Sequence, residues 1–322
     1  MVGGEDSGAR GAFCCLLCGG RQGRFVLAAK GMDLEACGDC GLVQRSPLPT
    51  VAEIEAMYAE DPHYGEELRR TEGAFLERER GVLEGLAARG ASGPLLDVGA
   101  GAGYLLRAAL ERGWRAEGIE LSRPNAERMT AELGVPVHTL DLVHAPLAPK
   151  SFGLVTFSHS LEHLVDPVGA LARARELLTD DGRVHIAVPH WNAAKRRLVG
   201  GRIAWIYPHH LSYFTWSSLK DALRRAGLEL EHSDTRPMLG RDYPFLFAGL
   251  RRARLDGALA GFLGLGERPL EGLLTDNLQL SVATWRLRAT MALAHTLLAI
   301  WPERTFGRLG LGEELRATAR RA

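Results

Sequence analysis

The sequence predicts an α/β protein: a seven-stranded, mostly parallel, doubly wound sheet with a small metal-stapled segment ahead of it. Three observations carry this. Leu95-Leu96-Asp97-Val98 opens into Gly99-Ala100-Gly101-Ala102-Gly103, and Leu105, Leu106, Ala108, Ala109 and Leu110 follow at helical spacing. Strand, glycine turn and helix form the opening unit of such a sheet. Apolar strand-like runs then alternate with helical patterns, the rhythm of parallel strands joined by crossover helices. Finally, four cysteines stand as Cys15-x-x-Cys18 and Cys37-x-x-Cys40 near the start of the chain.

Residues 1–12 are glycine-rich and polar and read as a disordered tail. The cysteine spacing C-x2-C-x18-C-x2-C, with Gly19 and Gly41 after the pairs, predicts a four-cysteine zinc ribbon over residues 13–46. Two disulfides would need an oxidising compartment, and the chain opens with no basic or apolar export signal. A redox C-x-x-C would sit on a βαβ unit, and neither pair does. Cys14 competes with Cys15 as a ligand, and the spacing favours Cys15. With four thiolates the site is closed, so its role is structural. Arg21, Arg24 and Lys30 with Phe25 are too sparse for a nucleic-acid stacking platform.

Residues 47–92 read as a linker and N-terminal helices. Pro47 and Pro49 mark the linker, Thr50 caps a short helix over Val51–Tyr58, and Glu66–Arg89 is helical with a stripe at Phe75, Leu76, Val82, Leu83 and Leu86. The core is expected over residues 93–239. Its second strand is Arg115–Glu120, followed by a helix with Ser122 as cap and Pro124 in its first turn. Val135–Leu140 and Phe152–Phe157 are the third and fourth strands, and Leu161–Leu178 is a helix. Arg183–Val188 is the fifth strand. Trp216–Ala226 is a helix ended by Gly227, and Leu228–His232 is the sixth strand.

Residues 240–312 break the rhythm with apolar helical patterns and read as a helical insertion between strands six and seven. The insertion would start beside the ligand side of the sheet, as a lid or substrate platform. Peripheral membrane contact and plain packing are its two readings. Residues 313–322 complete the core as the seventh strand. Over the 322 residues, 39 Lys and Arg balance 39 Asp and Glu, which removes the electrostatic case for a nucleic-acid partner. No apolar run approaches the ~18 residues of a spanning helix. A cytoplasmic protein is expected, of oligomeric state the sequence does not give.

A dinucleotide-binding G-x-G-x-x-G would carry its third glycine where Tyr104 stands. The pattern Asp97-x-Gly99-x-Gly101-x-Gly103 instead resembles the first motif of the class I S-adenosylmethionine (SAM)-dependent methyltransferases, which have a Rossmann-like sheet. The resemblance covers about residues 70–235 and the C-terminal strand. It includes Ser158-His159-Ser160-Leu161-Glu162-His163-Leu164-Val165-Asp166-Pro167, similar to the family's segment after strand four, and His209-His210-Leu211-Ser212-Tyr213-Phe214-Thr215, similar to a later one. Members with an N-terminal zinc ribbon match best.

The resemblance implies that Asp97, Gly99, Gly101 and Gly103 cradle the methionine end of SAM, with Asp97 facing its ammonium. It implies that Glu120 holds the ribose hydroxyls, that Asp141 meets the adenine amine, and that Glu162 belongs to the loop over SAM. As ordinary chemistry, Glu120 also reads as a surface carboxylate and Asp141 as a turn cap. His159-x-x-Glu162-His163 also matches an inverted zinc-protease motif, which needs both histidines inside a helix.

The function implied is methyl transfer from SAM to an oxygen, nitrogen or carbon of a small-molecule acceptor such as a natural product, saccharide or lipid-like compound. A base is needed only if the acceptor is protonated at neutral pH, and His159 or His210 would supply it. His163 reads equally as a loop-shaping hydrogen bonder. Two other classes remain: a nucleotide-cofactor oxidoreductase, and a non-catalytic scaffold that binds SAM or a partner.

Overall fold

The computed structural model describes residues 13–50, 52–54, 72–236 and 309–322. The expected N-terminal tail, most of the Val51–Tyr58 helix and most of the 240–312 insertion lie outside the described residues. The chain divides into two compact units. The first comprises residues 1–191, 207–233 and 315–322.

Near the N-terminus, β1 (Gly23–Ala29), β2 (Met32–Cys37) and β3 (Val43–Ser46) form an antiparallel meander. Thr50 and Glu53 cap each other: the Thr50 amide donates to the Glu53 carboxylate at 2.7 Å, and the Glu53 amide to Thr50 Oγ1 at 3.3 Å. Helix α1 spans Glu72–Ala87. Its apolar side, with Leu76, Leu83 and Leu86, is buried against a cluster that includes Leu105 and Leu106.

Strand β4 (Leu95–Val98) leads through the glycine turn into α2 (Tyr104–Glu111). Strand β5 (Ala116–Ile119) precedes α3 (Arg123–Leu133), which has Pro124 in its first turn and Gly134 as left-handed C-cap. Ser122 occupies the N-cap position, but its side chain makes no capping bond. The third strand of the core, expected over 135–140, is only β6 (Val137–His138). Strand β7 (Phe152–Ser158) follows.

The helix expected over Leu161–Leu178 is two elements. A 3-10 turn covers Leu161–His163, and α4 covers Pro167–Leu177. The physical reason is Pro167, which disfavours a helical Asp166. Asp166 becomes the N-cap of a new helix, accepting from the Gly169 amide at 2.8 Å. Helix α4 ends close to the expected Leu178, and β8 runs from Leu178 to Pro189, starting ahead of the expected Arg183.

Helix α5 (Ala194–Val199) follows, then β9 (Ser212–Tyr213) and α6 (Trp216–Arg225), which opens on a Thr215–Ser218 capping box. Strands β10 (Leu228–Arg236) and β11 (Glu314–Arg321) complete the described elements.

The main sheet has the order β10-β11-β8-β7-β4-β5-β6. The pairs β4–β5, β4–β7, β5–β6 and β7–β8 are parallel. Strands β4 and β7 lie at its centre and are buried almost throughout, as strands covered on both faces must be. The glycine turn, Glu120, the 159–163 segment and His190 therefore follow the carboxyl ends of neighbouring strands, the side where open α/β sheets bind ligands.

The second unit comprises residues 192–206 and 234–314. In its described part, Lys195 Nζ lies 3.4 Å from Glu313 Oε2, and the Gly312 amide donates to Thr235 Oγ1 at 3.0 Å. Among the described residues no helix is long and apolar enough to cross a membrane.

Candidate functional site

The turn after β4 is built from backbone constraints. Gly99, Gly101 and Gly103 all have positive φ (76°, 56° and 82°), a region costly for side chains with Cβ. A Cβ at Gly99 would come within 2.5 Å of Ser160 Cβ, and one at Gly103 within 2.9 Å of Met129 Sδ. The turn thus packs tightly on the 159–163 segment on one side and on α3 on the other.

Asp97 is buried in β4 and accepts from Thr156 Oγ1 of β7 at 2.8 Å. Burial pushes its carboxyl up to about 7; the Thr156 bond opposes this, while the charges of Glu79 and Glu120 add to it. Glu120 spans the turn: Oε2 accepts from the Gly101 amide and Oε1 from the Ser122 amide, each at 2.8 Å. Burial raises its carboxyl, and these amides pull the other way. Each oxygen keeps a second lone pair, so the carboxylate can still accept two hydroxyl hydrogens.

Asp141 is different. It is exposed and is held by its own loop, with the His144 ring at 2.7 Å and the His144 amide at 2.9 Å. Burial raises it, and the His144 bonds together outweigh that and bring its carboxyl below the usual range.

A second cluster lies beyond β7. His159 sits at φ 54°, an uncommon left-handed conformation for a residue with a side chain. Arg78 Nη2 of α1 lies 3.0 Å from His159 Nε2. A guanidinium only donates, so Nε2 must be the acceptor and the ring proton sits on Nδ1. That nitrogen faces Glu162 Oε1 at 3.6 Å, an ion-pair distance too long for a hydrogen bond.

Glu162 is fully buried, and among the described residues neither carboxylate oxygen has a hydrogen-bond partner. Burial would raise it, but the gathered His159, His163 and His210 outweigh burial and hold it below the ordinary range. His210 Nε2 lies 4.0 Å from Glu162 Oε1, and the rings of His163 and His210 meet edge to face at 4.7 Å. Burial pushes His210 down to about 3, with His163 adding to the effect. Glu162, His163 and His210 each offer one ligand atom, all within 4.8 Å of one another, so the cluster can hold either a proton or a cation. Glu162 and His163 lie in a single 3-10 turn entered from a strand, not in the long helix that the protease motif requires.

The cysteines gather as the spacing predicts. Cys15 Sγ is 3.5 Å from Cys40 Sγ, and Cys18 Sγ is 3.5 Å from Cys37 Sγ. All four lie within 4.8 Å of one another. These separations are far beyond a disulfide bond of about 2.05 Å and near the ~3.8 Å edge of a tetrahedron with zinc–sulfur bonds of about 2.3 Å. Cys14 is exposed and stands outside the group.

The two knuckles share one hydrogen-bond pattern. The Gly19 amide donates to Cys15 O and the Gly41 amide to Cys37 O, with φ 71° and 72° at the two glycines. That is why a glycine follows each pair. The residues present thus fit a tetrahedral metal ion.

Sequence reasoning missed three participants. Arg78 lies in a helix that reads as a solvated face. Thr156 is an unremarked polar residue in an apolar strand. Strand β9, in the 209–215 segment to which the sequence assigned no element, pairs with β3 of the ribbon (Val43 with Tyr213, Gln44 with Ser212). Only the Glu-rich and Arg-rich composition of α1 beside the glycine motif hinted at the first.

Residues 68–233 match the model of a family described as a methyltransferase domain. The ubiquinone biosynthesis O-methyltransferase of Ralstonia nicotianae is 30% identical over 163 residues, 46% of this chain and 68% of that protein. An uncharacterised 37.1 kDa protein from a transposon of Streptomyces fradiae is 28% identical over 203 residues, 60% of this chain and 56% of that protein. Among solved structures, the 1,6-didemethyltoxoflavin N1-methyltransferase of Burkholderia thailandensis, with its ligand and S-adenosylhomocysteine, aligns at TM-score 0.46 and 21% identity, over 66% of this chain and 90% of that one.

Proposed function

The chain belongs to the methyltransferase-domain family and is a class I SAM-dependent methyltransferase, and from that premise we propose how it holds the donor and what kind of acceptor it methylates. Asp97 faces the donor's ammonium, the 99–103 turn cradles its methionine end, and Glu120 accepts from both ribose hydroxyls. Asp141 meets the adenine amine after releasing His144. The packed turn and the spare lone pairs of Glu120 support this assignment. Cys15, Cys18, Cys37 and Cys40 hold one structural zinc, which their near-tetrahedral grouping supports.

SAM supplies a methyl already activated on a sulfonium. The protein must hold the acceptor atom in line with it, and proximity and orientation then supply most of the acceleration. The acceptor is a small molecule bearing a hydroxyl or phenol. The observation that carries this is Glu162, a buried carboxylate with no hydrogen-bond partner among the described residues, ringed by histidines at the carboxyl end of β7. Such a group is positioned to take a proton, directly or through His210, which burial keeps neutral. His159 can act as a base only once Arg78 has left its Nε2. The relatives named O-methyltransferases point to the same acceptor atom.

The test is methyl transfer from labelled SAM to a panel of phenols, sugar hydroxyls and amines. A hydroxyl product is expected, and Glu162→Gln should lower kcat about 100-fold with little change in SAM affinity. Methylation of amines alone, or an unchanged kcat in Glu162→Gln, would sink the reading.

A further inference from the structure

Strand β3 links the first cysteine knuckle to the segment that carries His210, and one buried side chain on that strand holds the knuckle. Gln44 of β3 is 1% exposed. Its amide nitrogen donates to Cys14 O and its amide oxygen accepts from the Leu16 N–H, each at 2.9 Å. Because a carbonyl only accepts and an N–H only donates, the partners fix the amide's orientation. The Gln44 side chain therefore grips both sides of Cys15, the first cysteine of the first knuckle.

The strand that carries Gln44 runs beside β9 on its other edge. Gln44 pairs with Ser212 of β9, and its neighbour Arg45 donates from its amide to Leu211 O at 3.0 Å and from Nη1 to Pro208 O at 3.1 Å. Leu211 in turn donates its amide to Glu162 O at 2.9 Å. His210, between these contacts, stands beside the Glu162 carboxylate. A path of hydrogen bonds, joined by the peptide link between Gln44 and Arg45, thus runs from the knuckle to the 207–214 segment and the Glu162 backbone.

We propose that Gln44 is a positioning residue that couples metal occupancy of the ribbon to the placing of His210 against Glu162. The inference rests on the zinc reading above. A bound metal fixes the Cys15–Cys18 turn, because ligand geometry and local folding are linked. The fixed turn satisfies both ends of the Gln44 amide. When the turn loosens, a buried amide loses two partners at once, which is unfavourable enough to open the short β3–β9 pair. No residue of β4, β5 or the glycine turn makes a hydrogen bond on this path. The ribbon is then a metal-dependent clamp on the acceptor side only.

The experiment is hydrogen exchange on the full chain in four states: wild type and Gln44→Met, each with zinc and after treatment with a chelator. Methionine keeps the volume and removes both side-chain bonds. Zinc content and SAM affinity are measured alongside. Gln44→Met should keep one zinc and bind SAM within about twofold of wild type, while peptides over 207–214 exchange at least about tenfold faster. Chelation should accelerate wild-type 207–214 by a similar factor, leave 95–103 within about twofold, and add less than about twofold in the variant, since coupled perturbations do not add. The NMR titration midpoint of His210 should rise toward the ordinary histidine value in both perturbed forms.

A zinc-loaded Gln44→Met with wild-type exchange in 207–214, or full additivity of variant and chelation, overturns the coupling alone. A wild-type chain with no bound metal overturns the zinc reading and the coupling with it. If Gln44→Met does not fold, the wild-type chelation arm decides: unchanged exchange in 207–214 overturns the proposal.

Discussion

Asp97 combines a buried carboxyl, pushed up to about 7, with a proposed cationic ligand. Its unfolded value is about 3.9, so between about pH 4 and 7 the folded chain binds the extra proton. Stability of the ligand-free protein therefore falls as pH rises across that window. A ligand ammonium prefers the anion and reverses the preference. SAM affinity should rise about tenfold from pH 6 to pH 8, the span over which a group near 7 deprotonates, and the dependence should flatten in Asp97→Asn. Calorimetric titrations at several pH values check this, and an equal slope in wild type and variant would remove Asp97 from the ammonium site. The glycines around Asp97 were legible in the sequence because backbone conformation leaves its mark in residue type. The pairing of His159 with Arg78 was not, because nothing near either residue in sequence records the contact.

Elements were legible where a local signal was strong, and they shifted where two signals competed. The apolar run from Leu161 suggested one helix, but Asp166-Pro167 starts a second. The cap is testable by itself. Asp166→Ala should cost about 1 kcal/mol of stability, read as a fall of a few degrees in thermal denaturation, and an unchanged midpoint would remove the cap. The third strand shrank to Val137–His138, an edge strand paired on one side only. Strand β9 could not be recognised from its two residues, since it exists only because β3 offers a partner.

At the scale of the whole molecule, the four-stranded sheet β1-β2-β3-β9 draws strands from two separate segments of the first compact unit. The ribbon buries few apolar side chains, Leu17, Met32, Leu34, Leu42 and Val43, and of these Leu17 and Leu42 pack into the core of the main sheet, so its local geometry is expected to depend on the metal. Metal analysis should give one zinc per chain. Cys37→Ser should lose it and lower the protection of residues 13–46 in hydrogen exchange, with SAM binding retained. A metal-free chain whose ribbon is fully protected would overturn the zinc assignment.

The sequence by itself determined the α/β class, the glycine turn with Asp97 and Glu120, and the two cysteine knuckles. Each of these is a local demand of backbone or ligand geometry that residue type and spacing must satisfy. Only the tertiary structure decided that Glu162 is buried among histidines from two segments with no hydrogen bond to its carboxylate among the described residues, that Arg78 takes the His159 lone pair, and that Gln44 holds the first knuckle while Arg45 beside it holds the 207–214 segment. Those contacts join residues far apart in the chain. Sequence patterns record how a segment folds on itself, whereas the meeting of distant segments is fixed by sheet order and packing.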